Sequence, residues 1–334
     1  MVVVNWNRRD LLRACLRSLA SQSFPEVEVI VVDNGSTDGS IEMLRTEFSA
    51  TADLPVNMIR NDSNRGFCEA NNQGIAASRS EFVALLNNDA EASADWLREL
   101  HSAFHDRAGI GMAASKVLVH EDPSRIDKAG HLIYPDGQNR GRGSGEPDLG
   151  QYDRIEETAW PDGCACMYRR AMLDEIGGFD EDLFAYADDA ELGLRAQIAG
   201  WKCLYIPTAI VRHRRGATLG LRSTARLELI ERNRVLLAAK LFPIGLLLLN
   251  PFYYVLRLAA GAIAAARGRG EAARYPSKFA VGWALLKADA AALRMLPRML
   301  AKRRHLVRRI STRDLYTLLN TYRIPLRKLT EDAI

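Results

Sequence analysis

The sequence predicts an α/β fold, a mostly parallel sheet flanked by helices, followed by a helical extension at the C-terminal end. Three observations lead there. Short apolar, β-branched runs alternate with helix-period runs through residues 1–100; clusters of Asn, Asp and Gly stand directly after the apolar runs; and from about Ala225 the chain turns Leu-, Ala- and Arg-rich. Val2–Val4 reads as a buried strand, and Leu11, Leu12, Cys15, Leu16 and Leu19 follow helical spacing. Val27–Val32 is the second strand, Ile41, Met43, Leu44 and Phe48 suit a second helix, and Val56–Arg60 and Phe82–Leu86 complete the set. Residues 134–150, rich in Gly, Pro and polar side chains, read as a long mobile loop. In open α/β sheets ligands bind beyond the carboxyl ends of the strands, so the residues after each strand are the ones that carry chemistry.

Composition bounds the answer. The chain has 334 residues, 48% hydrophobic and 26% charged, enough for a sizeable core. Its net charge of +4 hides an asymmetry: residues 212–334 hold 25 Lys and Arg against 7 Asp and Glu, and residues 1–211 hold 20 against 34. A basic half of this kind suits nucleic acid, acidic protein or anionic lipid. Five unevenly spaced cysteines argue against a disulfide framework and for small buried side chains in a reducing, cytoplasmic setting. No secretory leader is read, because the chain opens directly on a strand; the start is abrupt enough for upstream residues to be missing.

After the first strand stands Asn5-Trp6-Asn7, and after the second Asp33-Asn34-Gly35-Ser36-Thr37-Asp38. Such a run makes an Asx turn and caps a helix at Ser36 or Asp38, and Asp33 is placed to hold a base or a ribose hydroxyl. There is no G-x-G-x-x-G, which counts against a dinucleotide-binding dehydrogenase. Arg65, among the amides of the Asn64–Gly74 stretch, suits either a nucleotide site or a plain loop into a helix. Asn87-Asn88-Asp89 ends the fourth strand, where a carboxylate is costly unless it has a partner or a task; hard oxygen ligands and a diphosphate would suit Mg²⁺ or Mn²⁺. Asp188-Asp189 opens a helix on which Glu191 and Arg195 are spaced to pair, and two adjacent carboxylates can separate into distinct protonation roles. His213 stands among Arg212, Arg214 and Arg215, cations expected to keep it neutral and able to bind metal.

Taken in order, VVVNWN, VDNGSTDGS, NRGF, LLNNDA, GGFDE, DDAELGLRAQIAGW and HRRG resemble the family 2 inverting glycosyltransferases of the GT-A fold, particularly the rhamnosyltransferase-like members, across roughly residues 1–220. The resemblance implies a nucleotide-sugar half at about 1–110 and an acceptor half at about 111–220. By position it implies nucleotide-sugar contacts at Asn5, Asn7, Asp33, Asn34, Arg65, Asn87 and Asn88. It implies a divalent Mg²⁺ or Mn²⁺ at Asp89 and His213, a catalytic base at Asp189, and an acceptor side at Gly178, Phe179, Asp180 and Asp188. Asn87 departs from the acidic first position of the family's Asp-x-Asp-type motif. The implied reaction is a metal-assisted single displacement that moves one sugar, rhamnose from dTDP-rhamnose being the leading case, onto a glycan or lipid-linked acceptor of a bacterial surface polysaccharide. The processive Gln-x-x-Arg-Trp motif is absent, Gln197–Trp201 carrying Gly200 where Arg is required. A sugar nucleotidyltransferase would want a Gly-rich basic loop near the start, which Asn5–Arg9 does not supply; a catalytically inactive membrane scaffold would not need Asp89, Asp189 and His213.

Residues 221–334 are expected to form a basic, amphipathic helical region lying on the anionic inner face of the cytoplasmic membrane. Sixteen uncharged residues between Lys240 and Arg257 are interrupted by Pro243 and Pro251, which favours interfacial helices over a span, and Phe279, Trp283, Leu286, Leu293, Leu296 and Leu300 mix with cations up to Ile310. Nucleic acid is the poorer use of this charge, since no recognition motif accompanies it.

Overall fold

A computed structural model of the chain describes all residues except 26, 50, 217–219, 221–222, 269–274, 276 and 330–334. The expected alternation opens it: β1 (Val2–Asn5), α1 (Arg9–Ala20), β2 (Val29–Asp33), α2 (Ser40–Glu47), β3 (Val56–Arg60), α3 (Gly66–Ala77) and β4 (Phe82–Leu86). Then follow β5 (Ala90–Ala92), α4 (Trp96–Ser102), β6 (Ile110–Val119), β7 (Ile126–Lys128), β8 (His131–Ile133), β9 (Asn139–Gly141), β10 (Glu156–Thr158), β11 (Ala165–Arg169), α5 (Arg170–Ile176), α6 (Asp188–Ile198) and β12 (Lys202–His213). The C-terminal extension is α7 (Thr224–Leu241), α8 (Ile244–Ala266), α9 (Lys278–Lys302) and α10 (Thr312–Thr321).

The main sheet has the order β10-β12-β6-β11-β4-β1-β2-β3, with β5 on β12 and β7 on β6. Its β3-β2-β1-β4 side is parallel throughout, β11 runs antiparallel between β4 and β6, and β12 is again parallel to β6. Alternation of side chains builds a core on each face. Val2, Ile30, Val32 and Leu85 pack in one, and Val3, Val29, Val31 and Leu86 pack in the other against Leu12 and Leu16 of α1. The register sets Asn5 beside Asp33 at the carboxyl ends of β1 and β2, so the polar clusters of the sequence meet at one edge.

Three expectations change. Residues 134–150 are not a loose loop: Asn139–Gly141 pairs with β8, Tyr134 N donates to Gln138 O (2.7 Å), and Tyr134, Asp136 and Ser144 are buried. The helix at Ser40 is capped by Gly39 in a left-handed conformation, while the Asp38 carboxylate accepts from Arg9 N (2.7 Å) and Ser40 N (3.1 Å). The apolar stretch after Lys240 is one helix of 23 residues that continues through Pro251, long and apolar enough to cross a membrane by length and composition.

The extension is joined to the sheet-bearing part of the chain through α7. Leu236, Leu237, Leu241 and Phe242 lie in the same apolar cluster as Tyr205 of β12 and Leu192 of α6. Arg257 of α8 bridges Asp136 (2.5 Å) and Glu231 of α7 (2.7 Å), tying α8 to both.

Candidate active site

A cleft of about 740 Å³ lies beyond the carboxyl ends of β1, β2 and β4. Of the expected nucleotide contacts, Asn34, Asn87 and Asn88 line it. Asn5 and Asp33 lie behind that surface, both fully buried: Asn5 Nδ2 donates to Asp33 Oδ2 (2.9 Å), Asn88 Nδ2 donates to Asn5 Oδ1 (2.7 Å), and Ser36 N donates to Asp33 Oδ1 (2.9 Å). Asn5 and Asp33, both assigned above to the nucleotide sugar, thus do not reach the cleft surface: their polar atoms face one another, and Asn5 holds Asn88 in place. Asn7 likewise serves the loop, its Oδ1 accepting from Thr37 N (2.9 Å), and Arg65 pairs with Glu69 (2.8 Å) at the surface.

Asp89 and His213 come together as the spacing on neighbouring strands requires. His213 Nε2 is 3.3 Å from Asp89 Oδ1, an oxygen that is buried without a hydrogen-bond partner among the described residues. His213 Nδ1 is 2.8 Å from Asp127 Oδ2, and Asp127 is also held by Arg215 (3.0 Å). The surroundings of His213 are thus the reverse of those expected. Burial lowers its pKa, but the carboxylates of Asp127 and Asp89 outweigh that and push it up to about 9. The neighbouring arginines point elsewhere: Arg214 to Glu121, Arg215 to Asp127. A carboxylate behind an imidazole whose far nitrogen faces a bare carboxylate oxygen is a donor set that fits a divalent cation. With no metal bound, a proton on Nε2 sits where such an ion would balance the same carboxylates.

A second cluster lies beside it. His131 Nε2 is 2.9 Å from Asp162 Oδ2 and 3.4 Å from Asp189 Oδ2, and the Lys128 ammonium contacts the same Asp162 oxygen. One ligand atom from each of His131, Asp162 and Asp189 falls within 4.8 Å of the others, a spacing a metal could use. Lys128 already supplies a cation there, so the group reads as a proton and charge network around Asp189. Burial raises Asp162, but Lys128 and His131 prevail and hold it well below the usual carboxylate range.

Asp188 and Asp189 open α6 at the cleft. Burial, and then repulsion from Asp189, pushes Asp188 up to about 8; burial also raises Asp189, against the opposing pull of His131. The two carboxyls are thus set apart by their surroundings: Asp188 faces burial and a like charge, while His131 and Lys128 favour the charged form of Asp189, the kind of division that a general base needs. The pair is positioned from outside the helix. Asn233 Nδ2 donates to Leu183 O, Ala185 O and Tyr186 O (2.8–2.9 Å), fixing the turn that leads into α6.

Gly178, Phe179 and Asp180 do not line the cleft. A Cβ on Gly178 would stand 2.3 Å from Asn72 Oδ1, Phe179 is buried, and Asp180 is pinned by Lys240 (2.6 Å) and Lys302. Burial raises Asp180, but those two ammonium groups hold it down to about 2. These three acceptor-side residues therefore stand away from the cleft, and Asp180 ties their segment to α7 and α9. Asp188 remains at the cleft.

Asp127, Lys128, His131 and Asp162 were not singled out in the sequence. A signal was there: Asp127, Lys128 and His131 fall between Ile126 and Leu132 in short strands, where buried charge is costly unless paired.

Comparison with known proteins bears on the family and the fold. Residues 1–177 match Glycosyl transferase family 2, and residues 146–263 match Glycosyl transferase family group 2. The chain belongs to glycosyl transferase family 2. Among relatives of this family 2 glycosyltransferase is the N-acetylglucosaminyl-diphospho-decaprenol L-rhamnosyltransferase of Mycobacterium tuberculosis. It is 26% identical over 250 residues, covering 66% of this chain and 77% of that one. An uncharacterized protein of Sinorhizobium fredii is 30% identical over 240 residues, but the match spans only 25% of its length. The solved mannosyltransferase of Pyrobaculum calidifontis, in complex with GDP-Man and Mn²⁺, has a TM-score of 0.53 at 18% identity, covering 98% of this chain and 84% of that one. That likeness bears on the GT-A fold.

Proposed function

We propose that this protein transfers a single sugar, with inversion, from a nucleotide-diphosphate donor to a glycan or lipid-linked acceptor in bacterial surface polysaccharide assembly. The observation that carries the reading is that Asp89 with His213, and Asp188 with Asp189, face one cleft at the carboxyl edge of the sheet. Asn34, Asn87 and Asn88 would meet the donor. Asp89 and His213 would hold Mg²⁺ or Mn²⁺, which when bound offsets the charge on the departing diphosphate. Asp189 takes the proton from the acceptor hydroxyl as that oxygen attacks the anomeric carbon from the opposite face. Asp188, keeping its proton, leaves only one negative charge to desolvate beside the sugar, whose transition state has oxocarbenium character. Rhamnose from dTDP-rhamnose is the leading donor, supported by the mycobacterial rhamnosyltransferase among the relatives. The cytoplasmic side of the membrane is the proposed location, supported by the exposed apolar positions of α8 and α9.

The test is a panel of nucleotide sugars assayed with and without Mn²⁺. Metal-dependent transfer or hydrolysis of one donor is expected, and Asp189→Asn is expected to lower turnover by a factor on the order of 10³ while dTDP or UDP binding stays near wild type. Near-normal turnover in that variant would remove Asp189 as the base.

A further inference from the structure

The cleft does not end at the catalytic carboxylates. Its far wall is built from the C-terminal helices: Leu227 and Ile230 of α7, Leu258 and Ala262 of α8, and Val281 and Leu285 of α9. The charged residues in this wall, Glu231 and Arg257, neutralise each other at 2.7 Å. Arg226, which precedes Leu227 on α7, lines the same cleft with its guanidinium 5.5 Å from the centre of the ring of Tyr186, two residues before Asp188. On the outer sides of the same helices Leu248, Phe252, Ile263, Phe279, Trp283 and Leu286 are exposed, and only 6% of the most apolar window of α8 is buried. Exposed apolar surface on this scale marks a membrane or a binding partner.

We infer that the apolar end of the cleft is a subsite for the hydrocarbon chain of a lipid-borne acceptor, joined to its sugar through a phosphate linkage. This rests on the transferase reading above and narrows its acceptor to the lipid-linked class. A glycan would lay hydroxyls against Leu227, Ile230, Leu258, Val281 and Leu285, which offer them no hydrogen-bond partner. A hydrocarbon chain needs none. Its anionic linkage meets the cation of Arg226, its sugar reaches Asp189, and the rest of the chain leaves along the exposed faces of α8 and α9, where a lipid molecule would already be.

Gly261 makes the subsite testable. It lines the apolar end, and a Cβ placed there meets no atom of the described residues within 4 Å, so a side chain can start into the open space of the cleft. Within a helix the change from Gly also favours folding. The probes are farnesyl diphosphate and inorganic diphosphate, titrated calorimetrically against the full chain with Mn²⁺ and excess UDP or dTDP present. Farnesyl diphosphate is expected to bind at least about tenfold more tightly than inorganic diphosphate, and Gly261→Phe to remove that advantage while nucleotide binding is unchanged. Ala262→Trp provides the same obstruction should Gly261→Phe fail to fold. Equal affinity for the two diphosphates, or an advantage that persists in a folded obstructed variant, overturns the subsite. Failure of UDP and dTDP to bind the wild type strikes the donor reading instead and is read in a separate titration.

Discussion

At the scale of single residues, the cleft places neighbouring carboxyls in unlike surroundings. Asp188 and Asp189 are adjacent, but Asp188 is driven up to about 8 by burial and repulsion, whereas Asp189 has His131 3.4 Å away to favour its charge. Asp188 binds its proton more tightly folded, at about 8, than at its ordinary value of 3.8. The stability this lends is fully present below the ordinary value and is lost as pH rises through the folded one. The Asp188→Asn protein, freed of that ionisation, is expected to be more stable than wild type at pH 8, by on the order of 5 kcal/mol, with the gap closing towards pH 4. Thermal unfolding of the metal-free proteins across that range checks it; a gap that widens towards acid would contradict the assignment. The sequence displayed Asp188, Asp189, Asp89 and His213, because each follows or precedes a recognisable element. It did not display which carboxylates would face His213. Asp127 lies 86 residues away along the chain, so only the β6–β7 and β6–β12 pairings bring it there.

At the scale of elements, α6 is the part whose placement matters most, and it is held by the C-terminal extension. Lys240 of α7 sits 2.6 Å from both Asp180 and Glu191, and Arg195 closes on Glu191 at 2.9 Å, the i,i+4 pair the sequence spacing predicts. All four are buried. Removing one charge from such a group strands the others, at a cost of about 3–5 kcal/mol. Lys240→Met is therefore expected to destabilise the protein by that order in denaturant titration, and to lower turnover further by loosening the N-terminal end of α6. A change below about 1 kcal/mol would show that the network carries little. Residues 134–150 teach the complementary lesson. Their glycines and polar side chains signal turns, and turns are present, but Asp136 is buried on Arg257 and Arg140 donates to Lys328 O. A polar segment becomes ordered when distant charges satisfy it.

At the scale of the whole molecule, the acidic half supplies the carboxylates of the cleft and the basic half the exposed apolar helices. Phe279, Trp283, Leu286, Leu293 and Leu300 form an outward stripe on α9, while Ala284, Ala288, Ala292 and Met299 face inward. Lys278, Lys287, Arg294 and Arg298 flank that stripe at exposed positions. Binding to phosphatidylcholine vesicles is expected to strengthen when phosphatidylglycerol is included, by about 1 kcal/mol for each cation that reaches the surface, and to weaken with salt. Replacing Phe279, Trp283 and Leu286 by Ser together should abolish co-sedimentation. Retained binding would place the contact elsewhere.

The sequence by itself determined the order of elements at the N-terminal end, the basic helical extension and the positions of the polar clusters. Apolar period and turn chemistry act over a few residues, and they specify strands and helices wherever no distant partner opposes them. Only the tertiary structure decided that Asp33 faces Asn5 rather than the cleft, that Asp180 anchors helices, and that His213 lies between carboxylates. It also decided that the C-terminal helices complete the cleft on which the first strands open. Each of these depends on strand register and on charges far apart along the chain, whose pairing is set by the energy of burial and leaves no periodic trace in the sequence.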